Sequence, residues 1–168
     1  ILRWMAIVGQ FITISIVYFI YNFNFPFYLC LIAILIGAIT NIYLQFYFKE
    51  NQLNNFSSTF FLFYDLLQLS ILLYLTGGIT NPFTILLIVP AIVSSTLLTL
   101  RSTINLSIFT MVILIVLTIY HEPLPHSDNL HFHVPNYYLY AIPVAIVIGL
   151  VFLTYFGFRF GVESRKRT

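Results

Sequence analysis

Six long apolar runs fill the chain, read at 4–22, 27–48, 57–75, 83–100, 103–120 and 137–158, with short polar stretches between them. Each run is apolar on all sides rather than at alternating positions. Each is close to the roughly 20 residues that a helix needs to cross a hydrocarbon core. The connections are too short for extended crossovers, so the pattern predicts membrane helices and not barrel strands. Pro26, Pro82 and Pro135 fall at or just before the starts of runs, where proline gives up only an orphan donor. Pro90 and Pro143 fall inside runs and are expected to kink them. Trp4, Tyr18, Tyr21, Tyr43, Tyr47, Tyr74, Tyr120, Tyr137, Tyr138 and Tyr155 crowd the ends, as anchors at a membrane–water interface do.

Composition turns this pattern into a class. The 168 residues are 60% hydrophobic and 7% charged, with a mean hydropathy of +0.97. A soluble domain carries about 25% charged residues, so this chain has too little polar surface to face water. The expected fold is all-α: an integral membrane domain of six transmembrane helices over 1–158, with 159–168 carrying the chain out into the cytoplasm. With alternating spans, Arg3, Lys49, Arg101, Arg159, Arg165, Lys166 and Arg167 all fall on one side. That asymmetry puts both termini in the cytoplasm. No nucleic-acid partner is expected. Cys30 stands alone in an apolar run and reads as a packing residue. The chain lacks an initiator methionine and is expected to be a piece of a longer protein.

Few residues are able to carry chemistry. Asp65 is the one ionisable residue deep within a run, roughly 12 Å from the cytoplasmic end of its helix. A lone charge there costs roughly 2.5–3.5 kcal/mol, so it must be neutral, paired or beside water. Gln10, Asn41 and Gln45 fall at comparable depths, and Gln68 lies one turn along from Asp65. These five suggest a buried polar cluster, structural or signalling, in which no Lys or Arg is placed to pair with the acid. His121, His126, His131 and His133 share a proline-rich loop without standard zinc spacing, so no metal site is expected. Gly157-x-x-x-Gly161 permits close helix contact at the end of the last run. No phosphate-cradling loop or nucleophile–base pair is present, and the segment itself is read as no enzyme.

Thr76-Gly77-Gly78-Ile79-Thr80-Asn81-Pro82-Phe83 separates the third and fourth runs. A glycine in the left-handed conformation ends a helix, and Asn81-Pro82 reads as an N-cap followed by the first helical residue. Free N–H groups, Thr80, the Asn81 amide and the Phe83 ring then offer donors and a stacking face at the start of the fourth helix. If Asn81 caps the helix, its side chain is less free for a ligand. This stretch with Asp65-Leu66-Leu67-Gln68-Leu69 before it, Arg3-Trp4 and Gly9-Gln10 at the start, and His121-Glu122-Pro123-Leu124-Pro125 later, resembles the membrane sensor of RegB/PrrB-type redox-sensing histidine kinases. The resemblance implies that the heptapeptide Gly77, Gly78, Ile79, Thr80, Asn81, Pro82 and Phe83 recognises ubiquinone. It also implies a place in the bacterial inner membrane, a homodimer, 159–168 as the start of a signalling helix that leads to a dimerising kinase portion, and a cytoplasmic response regulator as partner. The rival expectation is the six-helix substrate-binding membrane component of a vitamin-type transporter, with the histidine loop as its external pocket.

Overall fold

The computed structural model describes residues 2–47, 55–124 and 134–168. The described elements are six helices with short helical turns between them. Helix α1 (Leu2–Ser15) runs on through a π turn at Ile16–Ile20, followed by α2 (Phe27–Tyr47) and α3 (Asn55–Leu75). A short 3₁₀ turn at Gly78–Thr80 leads to a second 3₁₀ segment, Pro82–Ile88, which continues into α4 (Val89–Leu97). Helices α5 (Leu100–Ile119) and α6 (Asn136–Arg167) complete the chain. The six expected spans are all found as helical segments.

The fourth span differs from the others in kind. Among the described residues, five helices are long and apolar enough to cross a membrane, whereas Pro82–Leu97 is shorter. Its 3₁₀ part offsets the deficit, because 3₁₀ structure rises about 2.0 Å per residue against about 1.5 Å in an α-helix. Together the two parts reach roughly 28 Å, close to the ~30 Å hydrocarbon core. Pro90 marks the change of winding. It was expected to kink a continuous helix, but it lies in the first turn of α4, where the missing N–H breaks nothing. Pro143 does lie inside α6, which continues past it to Arg167.

Packing divides the helices into two groups. The main core is built from α3, α4, α5 and α6 around Leu66, Leu87, Leu106, Leu114 and Leu150, each fully buried. Within it, α4 makes its most extensive contact with α6. The second cluster joins α1 and α2 to one face of α3 through Ile14, Phe27, Cys30, Ile34 and Leu72. Tyr18 stacks on Phe27 with ring centroids 4.4 Å apart, closing the α1–α2 end. Most outward side chains of α1 are apolar and exposed, as lipid contact requires.

Candidate functional site

The turn between α3 and the fourth span is tied together by its own polar groups. Gly77 ends α3 at φ +105° and Gly78 follows at φ +54°, both in the left-handed region that glycine alone adopts freely. Asn81 then caps the 3₁₀ segment, its Oδ1 accepting from the Phe83 N–H at 2.9 Å. Its Nδ2 donates to the Thr76 carbonyl and to Thr76 Oγ1, both at 2.9 Å, so one amide clasps both sides of the turn. Thr80 Oγ1 donates to the Gly77 carbonyl at 2.6 Å. The buried Thr84 hydroxyl sits within hydrogen-bonding distance of the Gly78 and Asn81 carbonyls.

The expectation of free donors is corrected by this geometry. The N–H groups of Phe83 and Thr84 are not free for a ligand, because Asn81 accepts from both through Oδ1 and its carbonyl. The Asn81 amide is likewise engaged, which resolves its two possible roles in favour of the cap. The glycines do not hold open a space for a ligand either. A methyl group on Gly77 would lie 2.7 Å from Leu124 Cδ1 and 2.8 Å from its Cα. One on Gly78 would run into the His121 side chain and lie 2.8 Å from the Leu117 carbonyl oxygen. The close approach that the glycines permit is therefore that of the protein itself.

That approach joins two stretches which the sequence showed far apart. The segment after α5 folds back over the glycines, and the Glu122 N–H donates to the Tyr74 carbonyl at 2.8 Å. His121 Nδ1 lies 2.9 Å from the Glu122 carbonyl oxygen. His121-Glu122-Pro123-Leu124 thus covers the end of α3 and satisfies a carbonyl that the helix leaves open. Pro82 and Phe83 remain on the outside, with Phe83 50% exposed, while Ile79 is buried and Thr80 and Asn81 are half-buried. His126, His131 and His133 lie outside the described residues, and no metal-ligating group of three is found among those described.

The other end of the fourth span is seated just as firmly. Gly157 of α6 faces Ser95, and Gly161 faces the backbone of Thr96, whose carbonyl oxygen would lie 2.7 Å from a methyl group there. The glycine pair serves α4. It forms a notch that lets the end of α4 lie against α6 backbone to backbone, at the point where α6 leaves the apolar zone. Ser94 Oγ meets Thr103 Oγ1 at 3.0 Å and links the same end of α4 to α5.

The polar cluster is arranged differently from the expectation. Asp65 pairs with Arg3 at 2.8 Å, and no hydrogen bond joins it to Gln10, Asn41 or Gln45. The expectation that no basic residue is placed to pair with Asp65 was wrong. Arg3 begins α1, but its long side chain runs along Phe61 and Tyr64, 6.0 and 5.8 Å from their ring centroids, to reach the acid. Gln68 does meet Gln10, through a long hydrogen bond of 3.4 Å, and its side chain fills the space beside Gly37. Asn41 is 5% exposed, and its Nδ2 has no partner among the described residues. Gln45 is exposed and does not join the group. Sequence reasoning missed Arg3, Thr76 and Thr84. Arg3 was discounted because depth was counted along the backbone and not along side chains.

The chain belongs to the family of PilS-like transmembrane domains, which it matches over residues 5–166. It is 36% identical over 166 residues to the sensor histidine kinase RegB of Cereibacter sphaeroides, a match that covers 98% of this chain and 36% of RegB. RegB from a named strain of the same species matches equally, at 36% over 166 residues. The chain is thus a RegB-type transmembrane sensor domain, a multi-pass segment of a bacterial inner-membrane protein, and it spans little more than a third of those relatives, 36% of their length. No solved structure matches it.

Proposed function

We propose that this domain is the membrane input module of a sensor histidine kinase, and that its fourth span carries the state of the outer turn to α6. One observation carries the reading: the span is clamped at both ends. Asn81 ties its beginning to the end of α3, and Gly157 and Gly161 seat its end on the helix that runs on to Arg167. Displacement of the turn therefore meets the exit helix without crossing a flexible joint. The one-sided basic residues support an orientation with both termini in the cytoplasm. There α6 would lead to a dimeric kinase portion that phosphorylates a response regulator.

The proposed ligand is a membrane quinone such as ubiquinone, on the strength of the heptapeptide resemblance. With the turn's donors engaged, recognition falls to its outward surface, where a flat ring stacks on Phe83 beside Pro82 and the tail stays in lipid. Gly77, Gly78 and Asn81 shape that surface without touching the ligand. A signal then requires that quinone and quinol favour different arrangements of the turn, since equal affinity for both shifts nothing. The test is quinone-analogue affinity beside melting temperature in nanodiscs, for the parent, Phe83→Ala and Asn81→Ala. Phe83→Ala is expected to weaken binding at unchanged melting temperature, and Asn81→Ala to lower the melting temperature. Parent-like affinity in Phe83→Ala would remove the ligand from the turn.

A further inference from the structure

At the opposite end of the bundle from the turn, α3 and α5 begin side by side and leave a groove of about 570 Å³ between them. Its base is polar and closed. Asn55 Nδ2 donates to Ser102 Oγ at 3.0 Å and to Thr99 Oγ1 at 3.3 Å, and Thr59 Oγ1 donates to Ser102 Oγ at 2.8 Å. Its walls are of two kinds. On α5, Arg101 and Asn105 stand one turn apart and exposed, and neither has an ion pair or side-chain hydrogen bond among the described residues. On α3, Phe56 and Phe60 stand one turn apart and are 78% and 60% exposed. Phe63 lies behind them, 5.1 Å from Phe109 between ring centroids.

We propose that this groove binds an anionic phospholipid, with its phosphate on Arg101 and Asn105 and an acyl chain along Phe56 and Phe60. Arg101 is the only charged residue among the described residues that line the groove, and its charge favours a negative ligand. It is also the second residue of a helix of 20 residues that is apolar enough to span a membrane. That places the guanidinium at the hydrocarbon edge, where lipid phosphates lie, and its planar donors match phosphate oxygens. The Asn105 amide adds a donor one turn deeper. The phenyl rings continue from that point into the apolar zone and supply a surface that inorganic phosphate has no use for. Net charge sets the selectivity: the cation of a zwitterionic headgroup would sit beside Arg101, whereas phosphatidylglycerol brings none. The inference is independent of the quinone reading and of the direction in which the domain faces.

The test uses the whole chain in nanodiscs of phosphatidylcholine doped with phosphatidylglycerol, with co-purifying lipid counted by native mass spectrometry. The parent is expected to retain phosphatidylglycerol about five-fold over its share of the bilayer, the scale that one basic residue contributes at a membrane surface. Arg101→Gln should abolish the enrichment, and Arg159→Gln, an exposed basic position on α6, should keep it. Circular dichroism confirms that both variants remain helical, and Asn105→Leu, which leaves the charge in place, should reduce the enrichment by a smaller factor. Equal retention of the two lipids by the parent overturns the proposal, as does undiminished enrichment in Arg101→Gln. Displacement of the lipid by millimolar inorganic phosphate would also overturn it, by showing a site for a phosphate alone.

Discussion

The turn between α3 and the fourth span and the polar layer between α1, α2 and α3 are both polar patches in an apolar molecule, yet they are finished to different degrees. At the turn the side-chain groups of Thr80, Asn81 and Thr84 are all paired, and a segment from beyond α5 covers the glycines. In the layer, the Arg3–Asp65 pair is left 26% and 32% exposed at the side chains, and Asn41 keeps an orphan amide. The difference has a physical source. Where the backbone leaves its helices near lipid, its own N–H and C=O groups must find partners, and side chains are recruited to supply them. Within intact helices the backbone makes no such demand. Polar side chains placed there answer to another need: the Arg3–Asp65 pair and the Gln68–Gln10 hydrogen bond tie α1 to α3, beside the apolar contact of Ile14 and Leu72 in one cluster.

The largest effect that would break this comparison is at the ion pair. Asp65→Leu leaves the Arg3 guanidinium without a counter-charge and is expected to destabilise the domain by ~2 kcal/mol. That is below the roughly 2.5–3.5 kcal/mol of a charge at mid-span, because Arg3 can swing toward water. Adding Arg3→Leu should restore most of the loss, and a melting series on the parent, single and double variants reads the coupling. An equal loss in the double variant would mean that Asp65 has a partner other than Arg3.

At the turn, Asn81→Ala removes a cap and two donated hydrogen bonds and should cost about 1–2 kcal/mol. Asn81→Ser keeps an acceptor for the Phe83 N–H without setting a second oxygen against the Thr76 carbonyl, and should recover about half of that by the same melting measurement. If alanine and serine behave alike, the cap contributes nothing and the clasp to Thr76 is everything. The smallest effect belongs to Asn41. Replacing an unpaired buried amide by the similarly sized leucine should be neutral or stabilising by up to ~1 kcal/mol. A loss of stability there would show that the amide has a partner and that the layer is as complete as the turn.

What the sequence made legible follows the same division. The six spans could be read because a bilayer demands long uniform apolar runs, and the boundaries fell within a few residues of the helices observed, except that α6 runs on past 158 to Arg167. That one of Gly77 and Gly78 ends the helix, the cap at Asn81 and the placement of Pro82 were also legible, since they depend on neighbours in the chain. The covering of Gly77 and Gly78 by His121 and Leu124 was not, because it is set by where α5 delivers the chain. Nor was the 3₁₀ form of Pro82–Ile88, a winding that hydropathy does not report. The Gly157–Gly161 pair was recognised as a contact surface, but only the packing of α6 on Ser95 and Thr96 shows what it contacts.

The central claim is that α4 couples the turn to the exit helix, and Gly161 tests it most directly. In the full-length kinase, autophosphorylation with oxidised and with reduced quinone would be compared between the parent and Gly161→Ala, with quinone affinity measured alongside. The added methyl group meets the Thr96 backbone at 2.7 Å and forces α4 off its notch, far from the turn. The account predicts that quinone still binds Gly161→Ala with parental affinity but no longer changes its autophosphorylation. A parental redox response in Gly161→Ala would contradict the account and send the signal by another route.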